Sequence, residues 1–249
     1  MALAGVASAN TEKVVITPLT DTTHWSHESL KSGTKWTLDD GILSFSTTTQ
    51  NGAGAVSTYT FENALSASST TPLTFEFDIT RGSNSAGVSL ALVGNTSAVV
   101  VSTKDYGSGD VFSYKTTTTN ATGYYLIGNN WNGEGLCKPD SYDTFLSAGL
   151  NYNATLTIKG NATLDNDGNT ILTLTATSTK TSSSATKTYN LGQDFELNKI
   201  MFGADNNSTG TNTWKVSKAN ISGAAIPEPA TATLSLLALC GLCARRRRK

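Results

Sequence analysis

A strict alternation of apolar and polar residues is the feature that most constrains how this chain folds. In residues 73–79 (LTFEFDI) the apolar side chains occupy every second position, and Thr74, Glu76 and Asp78 occupy the positions between. This period of two predicts a β-strand with one buried and one solvated face. Runs of five to nine residues with strand character recur along the chain between clusters of Gly, Asn, Asp and Ser, at 41–46, 55–61, 88–92, 154–158, 171–176, 199–203 and 213–221. The pattern predicts an all-β fold, a two-sheet antiparallel β-sandwich of the jelly-roll kind.

Composition favours the same fold class and excludes one class of partner. Thr, Ser and Asn make up about a third of the chain, whereas charged residues are only 15%. Threonine suits pleated surfaces and the other two suit turns. Five of the 18 basic residues lie at the extreme C-terminus, and without them and Glu228 the chain has 13 basic and 18 acidic residues. A body this acidic argues against nucleic acid as a partner.

The N-terminus has the features of an export signal. Residues 1–9 (MALAGVASA) are small and apolar and end in Ala7-Ser8-Ala9, the A-x-A pattern of a signal-peptidase site. We interpret them as the remnant of a signal peptide, so that the mature domain comprises residues 10–225. The alternative is an ordinary Ala-rich terminus.

The C-terminal segment 226–249 has three parts in a fixed order. Pro227, Glu228 and Pro229 precede an apolar stretch of about 15 residues, and a basic cluster follows, consisting of Arg245, Arg246, Arg247, Arg248 and Lys249. A helix of that length is about 22 Å long, barely enough to cross a bilayer. The basic cluster would stay in the cytoplasm, leaving the body outside. The sequence therefore predicts one short C-terminal transmembrane helix.

This three-part tail resembles the PEP-CTERM sorting signal of Gram-negative bacteria. The resemblance implies that an exosortase recognises Pro227, Glu228 and Pro229, and that the protein anchors transiently in the inner membrane before it reaches the cell surface or extracellular matrix. A simple C-terminal anchor without processing is the alternative.

The order of strands in the body resembles the concanavalin A-like lectin and glucanase jelly roll, in particular its laminin-G-like branch. The resemblance rests on the 73–79 strand, on a hairpin running from Ile158 through Gly168 to Leu174, and on the closing segment with Trp214. It implies a lectin-like sandwich that binds glycans or extracellular polysaccharide.

Glu76 and Asp78 are the residues to consider for catalysis, because retaining glycosidases need two carboxylates on one face. The glucanase pattern E-x-D-x-x-E would place a third carboxylate where this chain has Arg81. We therefore interpret Glu76 and Asp78 as the solvent face of a strand, and expect no enzyme. A glycoside hydrolase remains the alternative.

No residue pattern predicts a metal site or a cofactor. His24 and His27 have zinc-like spacing, but no helix pattern surrounds them and we expect a polar turn. The segment 165–169 (DNDGN) lacks the ligand spacing of a calcium loop, so that we expect a hairpin turn there.

The long segment 128–143 is the predicted ligand-binding loop, because long loops without regular structure are usually functional or disordered. Its two large aromatic residues could stack on sugar rings, and its amides and one carboxylate could bind hydroxyls. Alternatively, the tryptophan only pins the loop to the sandwich, and the protein is a purely structural matrix component. The candidate ligand-binding residues are Trp131, Asn129, Asn132, Asp140 and Tyr142.

Overall fold

The structure, a computed structural model, describes residues 12–31, 34–47, 53–82, 87–103, 109–118, 144–206 and 211–226. In these residues the regular elements are fifteen antiparallel strands and one 3-10 turn at Pro18–Thr20. The strands lie in two layers, which we call sheet 1 and sheet 2.

Sheet 1 is built mainly from the middle of the chain. Its strands, in spatial order, are β10 (Thr144–Leu146), β9 (Val111–Thr117), β8 (Ser97–Thr103), β7 (Val88–Gly94), β14 (Leu197–Asn206), β5 (Ala53–Ser66) and β2 (Trp25–Lys31).

Sheet 2 contains both ends of the domain. Its first five strands, in spatial order, are β13 (Ser184–Gln193), β12 (Asn169–Ser178), β11 (Thr155–Leu164), β6 (Leu73–Arg81) and β15 (Asn212–Ala225). The long strand β15 then pairs with two short strands, with β4 (Ile42–Thr47) near its start and with β1 (Lys13–Ile16) near its end. Strand β3 (Thr37–Asp39) pairs with β4.

The two sheets enclose one large apolar core and are joined at their edges. Phe77 of sheet 2 packs edge-on against Phe202 of sheet 1, with ring centroids 5.9 Å apart. On one side, the end of β5 pairs with the end of β15. On the other side, the hydroxyls of Ser113 on β9 and Tyr189 on β13 lie 2.6 Å apart. The sandwich predicted from the sequence is therefore confirmed.

Strand β6 follows the predicted alternation along its length. Leu73, Phe75, Phe77 and Ile79 are buried in the core, and the residues between them are partly exposed on the outer face. β6 lies in the middle of sheet 2, between β11 and β15. Its outer face is therefore flanked by side chains from both neighbours.

Strands β7 and β8 depart from that alternation, because every residue in both is buried. The outer face of sheet 1 carries its own apolar cluster, separate from the main core, and its members are Val56, Ala91, Val93, Ala98, Val100, Phe112, Tyr114 and Met201. Strands covered on both faces are mostly apolar, and the polar residues of β7 and β8, such as Ser89 and Ser102, are small and buried as well.

The hairpin turn predicted at residues 165–169 is confirmed. It joins β11 to β12, and the Asp165 carboxylate accepts hydrogen bonds from the backbone N–H groups of Asp167 and Asn169, at 2.9 and 2.8 Å. Gly168 has a φ of +80°, a conformation that glycine adopts without strain.

Several predicted features lie outside the described residues. They are the remnant signal peptide, the ligand-binding loop and the sorting tail with its transmembrane helix. Within the described residues, no helix is long and apolar enough to cross a membrane.

Candidate functional site

The outer face of sheet 2 is polar, in contrast to that of sheet 1. Each strand contributes the side chains that alternate with its core residues, and most of these are threonine, asparagine or lysine. On β6 they are Thr74, Glu76, Asp78 and Thr80, and all four are partly exposed.

Glu76 forms two ion pairs at the centre of this face. Its Oε1 lies 3.2 Å from the Nζ of Lys159, and its Oε2 lies 2.8 Å from the Nζ of Lys218. The two lysines come from opposite neighbours, β11 and β15. The hydrogen bond from Lys218, together with that from Lys159, holds the pKa of Glu76 below its ordinary value, although partial burial opposes this. The carboxylate is therefore ionised at neutral pH.

A β-bulge positions Lys218. The pairing of β15 with β6 shifts register between Val216 and Lys218, so that Ser217 is the extra residue. After the bulge, Lys218 lies opposite Asp78, and Asn220 lies opposite Glu76. Bulges of this kind redirect side chains and are common beside functional sites.

A groove crosses the outer face next to Glu76, with a volume of about 440 Å³. This volume lies in the range of small-molecule sites. Its floor is the backbone of the central strands, and Val15, 66% exposed, forms part of one wall. The polar side chains that line it are Thr74, Glu76, Lys159, Asn161, Thr173, Thr175, Asn220 and Ser222.

The groove offers both hydrogen-bond donors and acceptors, with an apolar contact at one side. Amides such as those of Asn161 and Asn220 can donate and accept at once, and threonine hydroxyls such as that of Thr173 can do the same. Vicinal hydroxyls of a sugar need that combination, and the C–H face of a ring can rest on Val15. The arrangement can therefore bind a polyol through hydrogen bonds.

The two carboxylates considered for catalysis are both engaged by neighbouring side chains. Both Glu76 and Asp78 lie on the outer face of sheet 2, as the alternation predicts, but Glu76 is neutralised by lysines and Asp78 accepts a hydrogen bond of 2.6 Å from Thr157. Arg81 is buried, where its Nη1 donates to the carbonyl of Leu150 at 3.0 Å. Position 81, where the glucanase pattern has its third carboxylate, thus faces the interior, on the side of β6 opposite to Glu76 and Asp78.

The polar turn expected around the two histidines is only partly correct. His24 lies in a bend, where its Nδ1 is 2.6 Å from the Oδ2 of Asp21. His27 lies on strand β2, stacked on Trp25, with its Nδ1 2.8 Å from the hydroxyl of Ser57. The polar residues around Trp25 obscured this strand in the sequence, and its inward side chains are aromatic. Among the described residues, no group of three His, Cys, Asp or Glu side chains could hold a metal ion.

The residues proposed from the sequence for ligand binding lie in the long loop, outside the described residues, so that they stay predictions. The groove residues were not proposed as ligand contacts from the sequence. Glu76 was considered for catalysis alone and was interpreted as part of the solvent face of its strand. Alternation within β11 and β15 could have assigned Lys159 and Asn220 to outer faces, but only the strand pairing brings them to Glu76.

Comparison with solved structures identifies the fold. The chain is similar to the CBM2 module of the evolved Dit protein of Lactobacillus casei BL23 phage J-1, at 10% identity over 87% of this chain and 99% of that one, with a TM-score of 0.52. The lectin of Bauhinia forficata in complex with GalNAc is 8% identical, over 86% and 99%, with a TM-score of 0.50. The Crh5 transglycosylase in complex with NAG is 10% identical, over 85% and 83%, with a TM-score of 0.50.

The fold is that of lectin-like jelly-roll domains. This is consistent with the concanavalin A-like architecture that the strand order resembles. No protein-family model matches the chain, and no curated protein sequence matches it. The lectin-like sandwich is thus recognised from its architecture alone.

Proposed function

We propose that this chain is an exported cell-surface or extracellular-matrix protein whose lectin-like sandwich binds carbohydrate. The observation that carries the proposal is the polar groove of sheet 2, on a fold shared with lectins. Fold alone does not imply function, so the argument rests on the groove: hydroxyls and amides line it, and Val15 provides an apolar contact.

We propose binding rather than cleavage. A general acid must hold a proton near neutral pH, whereas the hydrogen bond from Lys218 lowers the pKa of Glu76. Two lysines also occupy the carboxylate that a nucleophile would need free. Hydrolysis of a β-glucan that is lost in Glu76→Gln would overturn this part of the proposal.

Export and sorting follow from the two ends of the sequence. The A-x-A site at Ala7-Ser8-Ala9 and the segment with Pro227, Glu228 and Pro229 support passage through the inner membrane and release by an exosortase. Intact-mass measurement of the protein from its native host should find a chain that begins near Asn10 and ends near residues 226–230. Surface protein that still carries Arg245–Arg248 would refute processing.

A glycan array probed with the purified chain, with and without calcium, tests carbohydrate binding directly. The expected result is saturable binding to at least one glycan class. Trp131→Ala then asks whether the long loop takes part, because loss of a stacking aromatic should weaken binding at least tenfold if that loop forms the site. Failure to bind any glycan would favour the structural matrix protein.

A further inference from the structure

The outer face of sheet 2 has a small excess of positive charge. Beside the groove, the ammonium groups of Lys159 and Lys218 hold the carboxylate of Glu76, and Asp78 lies opposite Lys218. The outer face of sheet 2 carries four lysines, Lys13, Lys159, Lys215 and Lys218, and three acids, Asp39, Glu76 and Asp78. The domain as a whole is acidic, with 13 basic and 18 acidic residues once the tail is set aside. This face is therefore opposite in sign to the rest of the body.

The lysines retain donors for a ligand. An ammonium group has three N–H donors, and Lys159 uses one of them on Glu76. Its side chain is 63% exposed and lines the groove, so that its other donors are available there. Lys218 lies on β15 beside the groove, where it holds the second oxygen of Glu76, and its side chain is 37% exposed. Glu76 thus fixes two cationic groups near one another without neutralising both.

The shape of the groove indicates a chain rather than a single ring. Its lining residues come from β12, β11, β6, β15 and β1, so that it runs across five neighbouring strands. Neighbouring strands are about 4.8 Å apart, which gives a length of roughly 19 Å. Asn161, Thr173 and Asn220 are spread along this length to bind neutral hydroxyls.

We propose that this groove binds an anionic oligosaccharide, a chain of sugars that carry carboxylate or sulfate groups, with Lys159 and Lys218 as the anion contacts. Charge-assisted hydrogen bonds from an ammonium group to such an anion are stronger than neutral ones. The proposal rests on the carbohydrate binding proposed above, and it adds the ligand class and the site. It assigns Glu76 the role of a positioning residue that holds the two lysines.

Calorimetry of the full chain with galacturonate oligomers tests the proposal. Dextran sulfate of the same length is the sulfated probe, and neutral dextran of that length is the uncharged control. We expect binding to one or both anionic chains, tighter for a tetramer than for the monomer, and weaker as salt concentration rises. Lys159→Gln and Lys218→Gln should each weaken binding at least tenfold.

Lys215→Gln is the matched control, because it removes the same charge from the same face at a position opposite Thr80, farther from Glu76 than Lys218 is. It should change affinity less than twofold. Asn161→Ala and Asn220→Ala provide a second test that leaves every charge in place, and each should weaken binding severalfold. Equal affinities in Lys159→Gln and Lys215→Gln would overturn the site, although glycan binding would stand. Binding to neutral glycans alone would overturn the ligand class, and absence of binding to any glycan would overturn the proposed function as well.

Discussion

The two sheets of this sandwich share one core but differ on their outer faces. The outer face of sheet 1 contains a buried apolar cluster that includes two aromatic residues, with Val100 and Ala91 fully enclosed. The outer face of sheet 2 carries threonines, asparagines and lysines around Glu76, and most of them are exposed to some degree. One sheet therefore has a buried apolar layer on its outer side, and the other has a solvated polar surface there. The difference teaches that the part of the sheet 1 outer face around Val100 is closed to a ligand, whereas the centre of the sheet 2 outer face presents polar side chains that can reach one.

Matched polar substitutions on the two outer faces should give the largest contrast in stability. Val100→Asn removes a fully buried side chain from sheet 1 and places an amide among apolar neighbours. We expect a loss of about 3 kcal/mol in the free energy of unfolding. Thr173→Asn, on the exposed face of β12, is the matched control and should change that free energy by less than about 0.5 kcal/mol. Urea unfolding of both variants measures the contrast, and equal losses would contradict the division into a structural and a solvated face.

A second substitution separates the inner and outer faces of a single strand, β11. Gly160 faces the core, and an added Cβ would lie 1.9 Å from the ring of Phe75. Gly160→Ala therefore overpacks the core and should cost about 1–3 kcal/mol. Asn161→Ala, one residue further on the exposed face, should cost less than about 0.5 kcal/mol. Thermal unfolding compares the two variants. If Asn161→Ala proved the more destabilising, the polar face would have a structural role.

Glu76→Gln should destabilise the protein less than Val100→Asn or Gly160→Ala, by less than about 1 kcal/mol, because partly exposed ion pairs contribute little. The folded-state pKa of Glu76 lies below its ordinary value of 4.5 because of the hydrogen bond from Lys218 and that from Lys159. Its contribution is therefore present above about pH 4.5 and is lost as pH falls through the folded-state pKa. The unfolding free energies of wild type and Glu76→Gln should converge in acid. If the difference in unfolding free energy between wild type and Glu76→Gln grew as pH fell, the lowered pKa of Glu76 would be contradicted. Glu62→Gln, on an exposed part of β5, serves as the control.

Local sequence patterns predicted the parts of the fold that depend on neighbouring residues. The alternation in 73–79 placed Glu76 and Asp78 on a common outer face, and the Asp-Gly sequence placed the turn before β12 correctly. The sequence did not reveal that β7 and β8 are covered on both faces, because their buried positions include serine and threonine, which elsewhere in the chain occupy exposed positions. It also did not reveal the edge strand β13. In β13, exposed polar residues alternate with residues most of which are only partly buried.

The candidate site was harder to predict than the fold. Glu76, Lys159 and Lys218 belong to strands that are far apart in the sequence, and only the registers of β6 with β11 and β15 bring them together. The bulge before Lys218 shifts the alternation of inner and outer residues in β15 by one position, so that counting every second residue does not place Lys218 on the outer face. Long-range pairing of this kind leaves no local signal in composition or spacing.

The most direct test of glycan binding by the outer face of sheet 2 is a titration of the chain with tetragalacturonate, followed by ¹H–¹⁵N correlation spectra. The side-chain amide signals of Asn161 and Asn220 report on the groove itself, and that of Asn95, at the end of β7, reports on sheet 1. The predicted result is a saturable shift of the Asn161 and Asn220 signals while the Asn95 signal stays in place. Unchanged Asn161 and Asn220 signals, at a ligand concentration that saturates binding in calorimetry, would contradict the account.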